Sequence, residues 1–191
     1  MAHLPVMAKL HLFSAVRQGD VGRVKAALRE GGSVDSISAD CGATPVWVAA
    51  RNGNPEVVRL LAELGADFDT PDNDGATPAF IAAEYGYVEV LRLLAELGAN
   101  LDTPMNEGAT PACIAAQKGH MEVVRALAEL GANLNTPMNE GATPAYIAAQ
   151  QGHMEVVRLL AELGADLDTP MNDGTTPALS LIHISEPTRP Y

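Results

Sequence analysis

Apolar residues occur in short blocks with helical spacing, and the blocks themselves recur along the chain. From Val88 to Leu97, apolar residues lie three and four positions apart, which predicts a helix with one broad apolar face. A shorter apolar block, Ile81 to Ala83, comes before it and stops ahead of Gly86. The same pair of blocks returns with a period of 33 residues. This period predicts a solenoid of stacked helix pairs, in which each pair buries its apolar face against its neighbours.

Capping and turn residues recur with the same period. The motif Gly-Ala-Thr-Pro, with the variant Gly-Thr-Thr-Pro at the last position, begins at Gly42, Gly75, Gly108, Gly141 and Gly174. In the unit that begins at Gly75, the Thr77 hydroxyl can cap backbone N–H groups while Pro78 occupies the first helical position. Gly98 can close the second helix in a left-handed conformation. Each unit is therefore predicted to be helix, turn, helix and loop.

The motifs of residues 141–173 are similar to those of a known repeat. This unit reads Gly-Ala-Thr-Pro-Ala-Tyr-Ile-Ala-Ala, then Gly-His-Met-Glu-Val-Val, then Gly-Ala-Asp-Leu-Asp. It resembles the ankyrin repeat, and the resemblance covers four full units from Gly42 to Asp173. It implies an all-α fold, an ankyrin-type helix-turn-helix solenoid with hairpin-like loops between the repeats.

The repeat boundaries divide the chain into eight predicted segments. They are an N-terminal extension (1–8), a degenerate N-terminal capping repeat (9–41), four ankyrin repeats (42–74, 75–107, 108–140 and 141–173), the start of a truncated repeat (174–178) and an artefactual tail (179–191). The tail resembles a translated sequencing adapter, and Pro187 and Pro190 argue against the alternative of a natural divergent cap. Leu160 and Leu163 would then lack a neighbouring unit, so we expect a monomer whose C-terminal end frays or associates.

Composition and charge narrow the classes of partner. Among the 191 residues, 47% are hydrophobic, which favours a folded core over disorder, and the formal net charge of −12 argues against a nucleic-acid partner. The segment from Met1 to Leu10 shows neither a secretory signal nor a membrane span. Cys41 and Cys113 match no metal or redox spacing, which favours a reducing compartment. The sequence therefore predicts a cytoplasmic protein without a cofactor.

No group of residues has the pattern of a catalytic or metal site. His120 and His153 occupy equivalent places in adjacent units, so a stacked metal pair is conceivable. Support of the turn into the second helix is the favoured role, because zinc needs three or four converging ligands. Cys113 could be a nucleophile, but its equivalents are Trp47, Phe80 and Tyr146, and a packing position is favoured. These observations predict a protein that is not an enzyme.

Charged residues follow two patterns. Each second helix carries a Glu-Arg-Glu row at helical spacing, which is typical of a solvated face. The loop acids, which are predicted to line one edge of the solenoid, are Asp67, Asp69, Asp72, Asp74, Asp102, Glu107, Glu140, Asp166, Asp168 and Asp173. Such an edge could attract a basic peptide or domain. The alternative is that Asp and Asn are simply favourable loop residues.

The resemblance to ankyrin repeats implies a partner-binding surface at the loop tips and the exposed side of the first helices. The implied loop-tip residues are Asn73, Asp74, Asn106, Glu107, Asn139 and Glu140. The implied helix residues are Arg51, Asn52, Glu84, Tyr85, Gln117, Lys118, Gln150 and Gln151. Trp47, Phe80 and Tyr146 are predicted to border this surface as exposed aromatic anchors.

Two functional hypotheses follow. The first is a noncatalytic protein–protein interaction module that binds an unidentified protein or peptide, basic in character, through its loop tips and the concave face of its first helices. The alternative is the recruiting arm of a larger multidomain enzyme or adaptor, whose catalytic domain lies outside this fragment.

Overall fold

The computed structural model describes residues 3–176 and, from residue 7 onward, their side chains. Within that range there are ten helices and no strand. They are α1 (His3–Arg17), α2 (Val21–Arg29), α3 (Pro45–Arg51), α4 (Pro55–Glu63), α5 (Pro78–Glu84), α6 (Val88–Glu96), α7 (Pro111–Lys118), α8 (Met121–Glu129), α9 (Pro144–Gln150) and α10 (Met154–Glu162). The predicted tail at 179–191 and the end of the 174–178 segment lie outside the described residues. The all-α helix-turn-helix solenoid is confirmed.

The Thr-Pro motif starts the first helix of each full unit as predicted. Thr77 has an extended backbone, and its Oγ1 accepts a hydrogen bond from the backbone N–H of Phe80 at 3.3 Å. Pro78 occupies the first turn, where no N–H is required. The same cap forms at Thr44, Thr110 and Thr143. These four threonines are buried, so their hydroxyls hold the helix starts inside the solenoid.

The N-terminal unit departs from this pattern. Helix α1 has 15 residues, whereas α3 and α5 have seven each, and it begins within the segment predicted as the 1–8 extension. It crosses the predicted boundary at residue 8 because this unit has no Thr-Pro motif to set a helix start. Asp20 then caps α2, with its carboxylate accepting the N–H of Arg23 at 2.9 Å.

Helices stack in two layers along the chain. The first helices pack in the order α1, α3, α5, α7 and α9, and the second helices in the order α2, α4, α6, α8 and α10. Equivalent leucines of the second helices are fully buried between units: Leu61, Leu94, Leu127 and Leu160. The prediction that Leu160 and Leu163 lack a following unit stays a prediction, because the described residues end at residue 176. Leu163 is 36% exposed.

Asparagines join the tips of successive loops. The backbone N–H of Asn106 donates to the carbonyl of Asp74 at 3.0 Å, and its side-chain Nδ2 donates to the carbonyl of Asn73 at 3.2 Å. Asn139 and Asn172 repeat both bonds one and two units later. The loops fold back in the hairpin-like manner expected, and the asparagines hold their tips at a fixed spacing.

Candidate functional site

The face formed by the loop tips and the first helices changes its charge along the solenoid. Two sets of residues determine this change, and each set occupies the same position in successive units. The residues that precede the loop glycines are Cys41, Asp74, Glu107, Glu140 and Asp173. The residues that follow the Ala-Ala pair of the first helices, or Ala15-Val16 in the N-terminal unit, are Arg17, Arg51, Glu84, Gln117 and Gln150. The N-terminal end therefore carries cations and lacks the loop acid, whereas the C-terminal part carries the acids.

A groove of about 260 Å³ lies between the loops and helices α7 and α9. We call it the acidic groove and define it by Met105, Glu107, Met138, Glu140 and Tyr146. The two methionines are half-buried against the core, and the two glutamates are exposed. An apolar floor with a carboxylate rim suits an apolar side chain flanked by basic residues.

A second cavity, of about 340 Å³, lies at the N-terminal end of the same face. We call it the arginine–tyrosine cleft and define it by Arg17, Trp47, Arg51, Tyr85 and Tyr87. The Arg51 guanidinium lies 5.6 Å from the centre of the Trp47 ring. The two tyrosine rings are stacked, with centroids 6.2 Å apart and an angle of 9° between their planes. The cleft thus combines cationic groups with flat aromatic surfaces.

Seven of the predicted partner-binding residues line these two cavities. Arg51, Asn52 and Tyr85 line the cleft. Glu107, Gln117, Glu140 and Gln150 line the acidic groove. The structure therefore brings these side chains together in two separate places on one face.

The other seven predicted residues lie outside both cavities. Asn73, Asn106 and Asn139 take part in the bonds between loop tips, so their amides or carbonyls are engaged. Glu84 and Lys118 form an ion pair, with the nearer carboxylate oxygen 3.8 Å from Nζ. The remaining two, both exposed, are Asp74 and Gln151.

The prediction of exposed aromatic anchors is wrong for two of the three rings. Trp47 and Phe80 are only 6% and 4% exposed, because both point into the core from the first turn of a helix. The Trp47 Nε1–H donates to the carbonyl of Ala76 at 3.1 Å, which ties its helix to the next loop. Tyr146 is half-buried and lines the acidic groove. These rings form the floor of the cavities instead of projecting from them.

Sequence reasoning missed three contributors to these cavities. Neither Arg17 nor Tyr87 is among the binding residues that the resemblance implies, although both line the cleft. A row of loop methionines, Met105, Met138 and Met171, was also missed. The signal for this row was present, since an apolar residue that recurs in a polar turn calls for a packing or binding explanation.

The loop acids form two rows and not the single edge predicted. Asp72 lies in the loop tip, where its Oδ1 accepts the N–H groups of Asp74 and Ala76. The second row follows the second helices, where the Oδ1 of Asp69 accepts the N–H of Asn100 at 2.8 Å. Asp102 makes the equivalent bond to the N–H of Asn133. Many of these carboxylates therefore hold loops, as the alternative interpretation proposed, whereas those of Glu107 and Glu140 at the groove rim accept no hydrogen bond from any described residue.

The second row contains a carboxylate with a lowered pKa. A hydrogen bond from the Thr70 hydroxyl at 2.6 Å, assisted by the backbone N–H of Asp69, holds the pKa of Asp67 below its ordinary value of 3.8. Because the folded pKa is depressed, this contribution to stability is present above the ordinary value and is lost as the pH falls through the folded value.

Substitution of Thr70 by valine is expected to raise the pKa of Asp67 towards its ordinary value, because the largest stabiliser of the carboxylate is removed. Side-chain carboxyl chemical shifts followed by NMR as a function of pH will measure this. Thr103→Val, at the equivalent position of the next unit, is the matched control and leaves Asp67 unchanged. An identical titration curve for Asp67 in both variants would contradict the assignment.

The contacts of His120, His153 and Cys113 are those of residues that support the fold. His120 Nε2 lies 3.0 Å from the carbonyl oxygen of Glu84, and His153 Nε2 lies 3.0 Å from that of Gln117, so each contacts the backbone of the preceding unit. Among the described residues, no three metal-ligating side chains converge. Cys113 is 1% exposed, and burial raises the pKa of its thiol. Its prediction as a packing position is confirmed.

The Glu-Arg-Glu rows are exposed, as predicted, and pair in two ways. Arg125 and Arg158 contact Glu122 and Glu155 of their own helices, whereas Arg92 contacts Glu129 of the following unit. Exposed pairs of this kind contribute about 0.2–1 kcal/mol each. In the part of the chain that is described, no helix has both the length and the apolar character needed to cross a bilayer.

Comparison with known proteins agrees with this architecture. The family model described as "Ankyrin repeats (3 copies)" matches residues 12–105 and 98–171. The ankyrin repeat domain-containing protein oryK of Aspergillus oryzae (strain ATCC 42149 / RIB 40) is 39% identical over 57 residues, which make up 30% of this chain and 9% of that protein. The chain thus spans a small part of the length of this relative. The family model covers well over half of the sequence, and the chain therefore belongs to the ankyrin repeat family.

Proposed function

We propose that this chain is a noncatalytic module that binds a protein or peptide along the face formed by its loop tips and first helices. Ankyrin repeats are generally protein–protein interaction modules, which supports the class of function. The acidic groove is the observation that carries the proposal for this particular chain. It combines a methionine floor, which can adapt to apolar side chains of different shapes, with carboxylates that have no ion-pair partner among the described residues.

The chemistry of the groove specifies the partner segment. An aliphatic or aromatic side chain would displace water from Met105 and Met138, and neighbouring lysine or arginine residues would approach Glu107 and Glu140. The protein's negative net charge would speed the encounter with such a basic segment. We therefore propose a partner segment with an apolar residue flanked by basic ones.

A random peptide library displayed on phage, selected against the whole chain, tests this proposal. Selected peptides should carry the apolar–basic motif. The double substitution Glu107→Lys and Glu140→Lys is expected to weaken them about tenfold or more in fluorescence anisotropy titrations, because attraction at the rim becomes repulsion. Added salt should weaken the wild-type complex.

Glu63→Lys with Glu96→Lys is the matched control. It makes the same change of net charge at exposed positions that end α4 and α6, on the other layer of helices. The control should bind the selected peptides as the unaltered chain does. Equal weakening in the two double variants would mean that total charge, and not the groove, governs binding.

A recruiting arm of a larger enzyme or adaptor is the second candidate function. The short match to oryK favours it, because the 57 matching residues are only 9% of that protein, which shows that related repeats occur within much longer chains. The sequence of the whole gene separates the candidates. A catalytic domain in the same frame would support the recruiting arm, and further repeats alone would support the binding module.

A further inference from the structure

The arginine–tyrosine cleft contains cationic groups without partners in a strongly acidic protein. Arg17 and Arg51 are exposed, and their guanidinium groups make no hydrogen bond or ion pair with any described residue, although that of Arg51 lies over the Trp47 ring. No carboxylate lines the cleft. An unpaired guanidinium pair at the mouth of a cavity is an electrostatic match for an anion.

The repeat pattern shows why the cleft differs from the rest of the face. In the following units, the loop position of Cys41 is occupied by Asp74, Glu107 and Glu140. The same end of the face is the one with arginine on two successive first helices. Two differences from the later units therefore occur at the same cavity: the loop acid is absent, and two arginines are present.

Aromatic surfaces set the shape of what the cleft can hold. The stacked rings of Tyr85 and Tyr87 form one wall and Trp47 forms part of the floor. Tyr87 is held in place, since its ring crosses Gly53 so closely that a Cβ there would be 2.8 Å from it. A volume of about 340 Å³ is at the small end of ligand pockets and accommodates one or two side chains.

We propose that this cleft binds a glutamate or aspartate side chain of the same peptide whose apolar and basic residues occupy the acidic groove. This inference rests on the proposed function and adds a second subsite of opposite charge. We assign a carboxylate because Asp and Glu are the anions that a peptide carries without modification, and a phosphate group is the alternative that the experiment below decides. The face would then bind a partner segment that is acidic at one end and basic at the other.

The distance between the subsites gives the spacing within the partner. The cleft is centred near α3 and the groove lies along α7 and α9, which are two and three helix positions from α3 in the first layer. Packed helices lie about 8–10 Å apart, so the subsites are separated by about 16–30 Å. An extended chain covers about 3.3–3.6 Å per residue, which places the acidic residue about five to nine positions from the apolar one.

The peptides selected against the whole chain test this assignment. We expect an acidic residue at about that spacing, and we expect Arg17→Gln with Arg51→Gln to weaken such peptides about tenfold. The same arginine variant should change the affinity of a peptide with glutamine in place of the acidic residue less than about twofold, a range that corresponds to an exposed contact. Arg29→Gln with Arg59→Gln, at exposed positions of the second helices, is the matched control for charge.

Each outcome decides between specific possibilities. Apolar–basic peptides without an acidic residue, or equal weakening by both arginine variants, would overturn the cleft assignment and leave the proposed function intact. If a peptide with phosphoserine in place of the acidic residue binds more than tenfold tighter, the assignment of a carboxylate ligand is overturned in favour of a phosphorylated partner. If the selected peptides bind the variant with Glu107→Lys and Glu140→Lys as tightly as they bind the unaltered chain, both proposals are overturned.

Discussion

Replacement of Leu94 by alanine is expected to lower the free energy of unfolding by about 3–4 kcal/mol, one of the largest effects of any single substitution in this chain. Leu94 is fully buried in α6, which packs on α4 on one side and on α8 on the other. The substitution removes buried methyl groups and leaves a cavity between units. A solenoid has no distant segment that can fill such a gap, because each unit contacts only its neighbours.

Urea unfolding followed by circular dichroism measures this change. Leu64→Ala is the matched control, because Leu64 follows α4 and is 49% exposed, and we expect a loss below about 1 kcal/mol there. A similar loss in the two variants would contradict the view that the layer between the second helices carries the stability of this region.

Gly108→Ala is expected to destabilise the chain by about 2–3 kcal/mol through two effects. Gly108 has φ +85°, a left-handed conformation that costs a residue with a side chain about 1–2 kcal/mol. A Cβ at this position would also lie 2.7 Å from the backbone nitrogen of Asn139. That nitrogen donates to the carbonyl of Glu107, so the loop must move and lose a bond worth about 1 kcal/mol.

Gly131→Ala separates the two effects. Gly131 has nearly the same φ, +82°, but a Cβ there meets no atom within 4 Å, so only the conformational cost of about 1–2 kcal/mol applies. Chemical unfolding gives the stabilities, and amide hydrogen exchange reports the bond itself. We expect faster exchange at Asn139 in the Gly108 variant alone, and unchanged exchange there would contradict the proposed loop contact.

The helices and their boundaries could be predicted because their signals are local. Thr77, Pro78 and Gly98 each act within one or two turns of their own position, so a repeating sequence is enough to place them. The start of α1 was not predicted, since no comparable signal marks it. Local capping and turn residues thus determine where a helix begins and ends. Where they are missing, the sequence does not predict the helix boundary.

The binding face was harder to predict because it depends on relations between units. Trp47 is an aromatic residue at a variable position, and only the packing of the next loop shows that it is buried and bonded to Ala76. Asn106 looks like a turn residue, yet its amide reaches the preceding loop. The cleft joins Arg17 to Tyr87, which belong to different units. The period of the sequence shows which residues occupy equivalent positions in successive units, but it does not show which residues of different units line one cavity together.

The bonds between units have a consequence for how such a chain can change in length. The side-chain bonds that join the loops and turns of successive units connect residues no more than 38 positions apart. Asn106, Asn139 and Asn172 present the same donors to the same carbonyls. Excision or duplication of one complete period would therefore rejoin matching surfaces, so that the recognition face can be shortened or lengthened without a new interface.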